Sequence, residues 1–335
     1  MRLEEHPIAR DGPARRETFV RQGVALTPGL PPIRYEVCGA ADGPAVLVLG
    51  GISASRHITR NEVDGRPGWW EDAVGPGRAV DTDRFCVIGI DHSSSLRGTI
   101  EQARPQTAIT TFDQARAIAA TLDTIGVPSL RAIVGASYGG MIALGFAERY
   151  ADRVDRIVII AAAHESDPMT TTLRAIQRRI VRLAEKAGDP REGVALARAL
   201  AMTTYRTRAE FAERFSNQPA HNGEETIFPA EEYVISRGDD YADRTRATDF
   251  RALTLSLDLH AVTPEDITVP ATIIGVIEDQ LVPISAIREL ARRLGAPSNL
   301  IELSSTHGHD AFLTDTARLA PLIRDALADP SVSAS

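Results

Sequence analysis

The chain has 335 residues, 43% of them hydrophobic, enough for one large α/β domain or two ordinary ones. Its net charge of −8, from 37 Lys and Arg against 45 Asp and Glu, argues against nucleic acid or an anionic membrane as partner. No stretch has the length of a membrane-spanning helix and the charged N-terminus lacks a signal-peptide core, so a cytoplasmic protein is expected.

Residues 1–23 are charged without periodicity and are expected to form a flexible arm. The alternating stretch 33–38 and the apolar runs 45–49 and 85–90 read as strands, the runs being suited to burial on both faces. Cys38 and Cys86 fall in these strands and are expected to be buried free thiols. An amphipathic helix is predicted over 111–125, with Ala115, Ile118, Ala119 and Leu122 on one face. Strands follow at 130–134 and 156–162, with a helix between them. This alternation predicts an α/β fold, a doubly wound and mostly parallel sheet. From 164 to 259 the pattern turns to helices (173–187, 193–204, 210–215, 230–236) with no recognisable strand. That segment is expected to be a helical lid insertion. Alternation resumes with a strand at 271–277, a helix at 284–294, a strand at 299–303 and a closing helix at 312–327; 329–335 reads as a frayed end. The expected division is an arm (1–23), a core (24–163 and 260–328) and a lid (164–259).

The sequence 135–139 reads Gly-x-Ser-x-Gly between a strand and a helix. A serine there sits in a sharp turn, where a side chain at Gly135 or Gly139 would crowd the backbone. Ser137 is therefore the candidate nucleophile. Such a serine needs a base, and the base needs an orienting carboxylate. In doubly wound hydrolase-type sheets these follow in the order Ser, acid, His on strand-end loops. Asp279 and Glu278 both follow the strand 271–277, and His309 and His307 both follow the last one. A surface role suits His307 better than His309. His6, His92 and His221 read as surface residues, whereas His57, His164 and His260 could line a site. Two backbone donors would stabilise an oxyanion. One is Tyr138 N–H, next to the nucleophile; the other is Ile52 N–H, after Gly50 and Gly51.

Further marks are Gly68-Trp69-Trp70-Glu71, the run Val74-Gly-Pro-Gly-Arg-Ala-Val-Asp-Thr-Asp-Arg-Phe85, the helix from Gly193 through Arg198 to Tyr205-Arg206, and Gly308-His309-Asp310-Ala311-Phe312-Leu313. Together these resemble the homoserine O-acyltransferase family of the α/β-hydrolase superfamily, over about 33–327. The resemblance implies a Ser137, Asp279 and His309 triad, with Ile52 and Tyr138 at the oxyanion hole. It also implies that Arg198 and Asp310, with Tyr205 beside them, hold the amino-acid substrate. Guanidinium suits an α-carboxylate and carboxylate suits an α-ammonium. The implied reaction is ping-pong acylation of L-homoserine from acyl-CoA, in methionine biosynthesis. It needs no metal or cofactor, acyl-CoA being a co-substrate. A homodimer is implied as well.

The chain departs from the family pattern in three places: a short 189–192 link between two lid helices, an altered stretch at 91–98, and Tyr138 where Met is common. Gly-Gly-Ile-Ser and Gly-Ala-Ser-Tyr-Gly-Gly are similar to succinyl-transferring members, which favours succinyl-CoA over acetyl-CoA. Arg56, Arg97, Arg174 and Arg178 are the cations that could meet a succinyl carboxylate. L-Serine as acceptor, and a carboxylic-ester hydrolase, are the alternatives.

Overall fold

The computed structural model describes residues 18–93, 108–222 and 225–328. Most of the expected arm (1–17), His6, Arg97 and the expected frayed end (329–335) lie outside them. Eight strands form one sheet: β1 (Thr18–Ala25), β2 (Ile33–Ala40), β3 (Ala45–Leu49), β4 (Cys86–Ile90), β5 (Ala132–Ala136), β6 (Ile157–Ile160), β7 (Ala271–Val276) and β8 (Ser298–Leu303). Their order is β1-β2-β4-β3-β5-β6-β7-β8. The first two pairings are antiparallel and all those from β4 to β8 are parallel.

The apolar runs are central because both of their faces are covered. In β3, Leu47 and Leu49 pack with Ile118 and Leu122 of α1 (Thr111–Ile125) and Ile142 of α2 (Tyr138–Arg149). Val46 and Val48 face the other way, toward Trp70, Leu319 and Ile323. Thr110 caps α1 by accepting from Asp113 N, and Gly126 ends it in the left-handed region (φ 78°). Cys38 and Cys86 are buried and unbonded to each other. Burial pushes their thiols up to about 12 and about 11, leaving them protonated.

Several expectations need correction. From Thr18 the expected arm is strand β1, paired over eight residues with β2. Arg21 and Gln22 stay exposed, so this edge strand shows no regular buried alternation, although Phe19 and Val20 pack against the core. The insertion comprises α3 (Pro168–Ala187), α4 (Pro190–Tyr205), α5 (Arg208–Arg214), α6 (Pro229–Ala242) and α7 (Ala247–Asp258). It also holds a small hairpin of Ala220–Asn222 with Glu225–Ile227, where no strand was expected. The helix α7 is an addition as well. The insertion leaves and returns at one point, where Val262 N donates to His164 O (2.9 Å). After α8 (Ile284–Arg293), the single closing helix is split into α9 (Ala311–Thr314) and α10 (Thr316–Ala328). Asp315 between them accepts from Ser305 Oγ (2.8 Å).

Candidate active site

The elbow forms between β5 and α2. Ser137 takes φ 54° and ψ −119°, a strained conformation for a non-glycine residue. The glycines around it are required by close approach. A Cβ on Gly139 would stand 2.3 Å from Leu49 O, and one on Gly135 would stand 2.4 Å from Gly139 O. The turn therefore lies directly against the end of β3.

The three candidate residues meet across the sheet's carboxyl edge. His309 Nε2 is 2.8 Å from Ser137 Oγ, and His309 Nδ1 is 2.6 Å from Asp279 Oδ2. Asp279 Oδ1 accepts from the amides of Leu281 (2.7 Å) and Val282 (3.0 Å), which fixes the carboxylate plane. A carboxylate can only accept, so Nδ1 carries the proton and Nε2 is left to receive one from Ser137. Burial alone would lower the His309 pKa. The charge and hydrogen bond of Asp279 outweigh it and hold the group above its ordinary value. Glu278 turns away to accept from Ser304 Oγ (2.6 Å) and Ser305 N (2.8 Å), and His307 lies 3.5 Å from Glu210. Neither rival touches the serine.

Gly51 and Ile52 border the same space. A Cβ on Gly51 would lie 3.9 Å from Ser137 Oγ, so the loop after β3 runs alongside the hydroxyl. Among the described residues, the amides of Ile52 and Tyr138 have no hydrogen-bond acceptor. They are free to serve an oxyanion. The Tyr138 ring points into the core instead, its hydroxyl 2.7 Å from Ser256 Oγ on α7 and 3.1 Å from Gln114 Nε2.

A cavity of about 330 Å³ opens over Ser137 and His309, roofed by α3, α4, α6 and α7. Arg198 of α4 reaches into it, its guanidinium 4.8 Å from the Tyr205 ring and 4.9 Å from the Tyr241 ring. Nη1 donates to Tyr205 OH (3.0 Å), and no carboxylate among the described residues forms an ion pair with Arg198. Its Nε is buried with no hydrogen-bond partner among the described residues. Asp310 also faces the cavity and accepts from Arg206 Nε (2.8 Å). The two opposite charges expected to hold an amino acid thus share one chamber with the nucleophile. No group of three or more His, Cys, Asp or Glu among the described residues could hold a metal ion. None of their helices is long and apolar enough to cross a membrane.

Four neighbours had no role assigned from the sequence, although Trp70 and Arg206 stood among its marks, because their partners are remote in the chain. Arg206 steadies Asp310 from 104 residues away. Tyr241 covers Arg198 from α6. Trp70 Nε1 donates to Phe312 O (2.8 Å), tying the Trp-Trp stretch to the segment after His309. His92 was expected on the surface. It is instead packed edge-on against Tyr138, with Nε2 3.1 Å from Gly51 O, and so supports the loop holding Ile52. His260 does not line the cavity: it is buried between Thr111 Oγ1 (2.9 Å) and Ala163 O (3.1 Å). His57 pairs with Glu36 (3.0 Å), and His164 contacts Arg293 (3.2 Å).

A family model described as the alpha/beta hydrolase fold matches residues 44–316. The chain is similar to the homoserine O-succinyltransferase of Xanthomonas campestris pv. campestris, 38% identical over 295 residues covering 88% of this chain and 78% of that protein. It is similar also to the serine O-succinyltransferase of Litchfieldella anticariensis, 31% identical over 89% of this chain and 93% of that protein. The homoserine O-acetyltransferase of Moorella thermoacetica is 32% identical over 87% and 89%. In three dimensions it superposes on a homoserine O-acetyltransferase from Bacillus anthracis with a TM-score of 0.81, covering 93% of this chain and 98% of that one at 18% identity.

Proposed function

The chain belongs to the homoserine O-acyltransferase family of α/β-hydrolase-fold proteins, and we propose that it transfers an acyl group from acyl-CoA to the hydroxyl of L-homoserine. The observation that carries this reading is the shared cavity: Arg198 and Asp310 stand beside Ser137 and His309. A hydrolase needs only water at that place, whereas an amino-acid acceptor needs a cation for its carboxylate and an anion for its ammonium.

In this reading Ser137 Oγ gives its proton to His309 Nε2 and attacks the thioester carbonyl. The Ile52 and Tyr138 amides receive the oxyanion. The C–S bond then breaks, and CoA leaves as the thiol with the proton from His309. Homoserine enters, His309 takes its hydroxyl proton, and that oxygen attacks the acyl-serine. Collapse restores the Ser137 hydroxyl and releases the O-acyl amino acid. Transfer outruns hydrolysis because the acceptor is held in place, an effect worth up to about 7–11 kcal/mol in favourable cases. No metal or bound cofactor takes part, acyl-CoA being a co-substrate.

Succinyl-CoA is the favoured donor, supported by the relative at 38% identity named for that activity, against 32% for the acetyltransferase. The product would serve methionine biosynthesis, and a homodimer is the expected assembly. The deciding experiment is a transfer assay with acetyl-CoA and succinyl-CoA against L-homoserine and L-serine. O-Succinylhomoserine as the main product is expected. A preference for L-serine would move the chain to the other acceptor, and release of free acid alone would make it a hydrolase.

A further inference from the structure

We propose that Arg174 forms a subsite for the terminal carboxylate of a dicarboxylic acyl donor and thereby selects succinyl over acetyl. This rests on the acyl-transfer reading above and names the residue that sets its donor. Of the four arginines open from the sequence, Arg97 lies outside the described residues. Arg56 is held by Asp91 (2.9 Å), and neither it nor Arg178 lines the cavity. Arg174 does line it.

Its place follows from α3. Thr170, Leu173, Arg174 and Gln177 fall along the cavity at helical spacing. Thr170 Oγ1 donates to Leu281 O (3.0 Å), which pins this face of the helix to the segment following Asp279. Arg174 lies one turn further on. That segment supplies no cation of its own: Leu281 and Val282 are apolar, and Gln280 Nε2 is spent on Arg206 O (3.1 Å). The Arg174 charge is close enough to His309 to oppose the rise in its pKa, so it bears on the reacting centre.

The charge count around Arg174 is unbalanced. Its Nε pairs with Asp258 Oδ1 (2.5 Å), while Arg178 Nη2 pairs with the other oxygen, Asp258 Oδ2 (2.6 Å). Two guanidinium groups thus share one carboxylate, with the side chains only 11%, 11% and 5% exposed. Arg178 Nη1 is buried with no hydrogen-bond partner among the described residues. The three other acids on the wall leave the excess standing, Asp310 being paired with Arg206. Asp167 is engaged in capping α3 through Thr170 N (3.0 Å), and Glu165, 66% exposed, lies by His164. A second carboxylate entering with the acyl chain would neutralise this cluster; an acetyl group would leave it one positive charge in excess. Arg198, by contrast, is committed to the rings of Tyr205 and Tyr241 on the acceptor side, and Arg244 is exposed.

The test is kcat/KM for succinyl-CoA and acetyl-CoA at saturating L-homoserine in wild type, Arg174→Leu and Arg174→Lys. The succinyl-to-acetyl ratio should fall roughly 10–100-fold in Arg174→Leu, the loss of a charge-assisted hydrogen bond. Lysine should recover part of it, keeping the charge without the planar fork. A merely structural arginine would depress both donors together and leave the ratio unmoved in both variants, which overturns the subsite. Should the leucine variant be inactive with both donors, the ratio in the lysine variant decides. A wild type that uses acetyl-CoA in preference sinks the subsite alone. One that acylates no acceptor from either donor sinks the acyltransferase reading with it.

Discussion

Arg206 Nε donates to Asp310 Oδ2 at 2.8 Å while its Nη1 reaches Glu210 Oε1 at 2.5 Å, so one guanidinium braces the carboxylate that adjoins His309. Both members of the Arg206–Asp310 pair are nearly buried, at 11% and 12% side-chain exposure. Asp310 itself lines the cavity, where the proposed acceptor brings its ammonium. Replacing Arg206 with Gln should raise the KM for L-homoserine about tenfold, the scale of one charged hydrogen bond. Acyl-enzyme formation from acyl-CoA alone should continue. An unchanged KM would remove Asp310 from the acceptor pocket.

The contacts of Asp279 and Glu278 separate the two candidate acids. Asp279→Asn should cut turnover by as much as the roughly 10⁴-fold seen when a serine protease loses the same contact, because the imidazole then settles in the wrong tautomer. Glu278→Gln should change turnover little, since Glu278 binds Ser304 and Ser305. Ser137→Ala should form no acyl adduct by mass spectrometry. An adduct in that variant, or the reverse order of the two acid variants, would overturn the assignment.

The pH dependence follows from His309. Its pKa lies above 6.5, because the Asp279 charge and hydrogen bond overcome the effect of burial. The base must be neutral to accept the serine proton, so kcat/KM for acyl-CoA should rise with pH through an apparent pKa above 6.5. Asp310 adds to the upward shift. Asp310→Asn should therefore move this limb to lower pH, whatever it does to acceptor binding. A limb already below 6.5 in the wild type would mean that another group controls the step.

How much of this was legible depended on whether the signal was local. The apolar runs of β3 and β5, the capped helix α1 and the Gly-x-Ser-x-Gly turn carry their reasons within a few residues, and each lies where expected except that β5 runs two residues further on, into the elbow. The last strand narrowed the base to His307 or His309, and the resemblance over 308–313 chose His309. The strand β1 was illegible because Arg21 and Gln22 are exposed in its middle and only Phe19, Val20 and Ala25 pack against the core. The helix α7 was not expected; its Leu253 and Leu257, one turn apart, are buried and its Ser256 meets Tyr138, so contacts remote in the chain define it. The Arg206–Asp310 and Arg174–Asp258 pairs span 104 and 84 residues, and no local pattern encodes them.

The closeness of Gly139 to Leu49 O gives a test of the elbow itself. A methyl group there would stand 2.3 Å from a backbone oxygen that cannot yield without moving β3. Gly139→Ala should destabilise the protein by about 1–3 kcal/mol or more, the range for forcing atoms into a packed site. At Gly65 a Cβ meets nothing within 4 Å and the backbone is ordinary, so Gly65→Ala serves as the matched control. Equal denaturant midpoints for the two variants would refute the close approach.

Arg198 separates transferase from hydrolase. It lies in the cavity between two tyrosine rings and, among the described residues, has no carboxylate partner and a buried, unpaired Nε. A cation so placed meets an incoming carboxylate with little further desolvation, which suits the acceptor and plays no part in thioester attack. Arg198→Ala should therefore leave the burst of CoA release in a single turnover intact while acyl transfer slows. The missing charged contact is worth about 1.5–3 kcal/mol, which corresponds to a rise of roughly 10–150-fold in the KM for L-homoserine. Lysine should restore only part of this, since it lacks the planar two-point donor and stacks poorly between Tyr205 and Tyr241. Slow hydrolysis of the acyl-enzyme should persist in both variants. Loss of the burst with an unchanged KM for L-homoserine would assign Arg198 to the CoA side or to the fold. The chamber would then be a hydrolase's, with nothing to hold an amino acid.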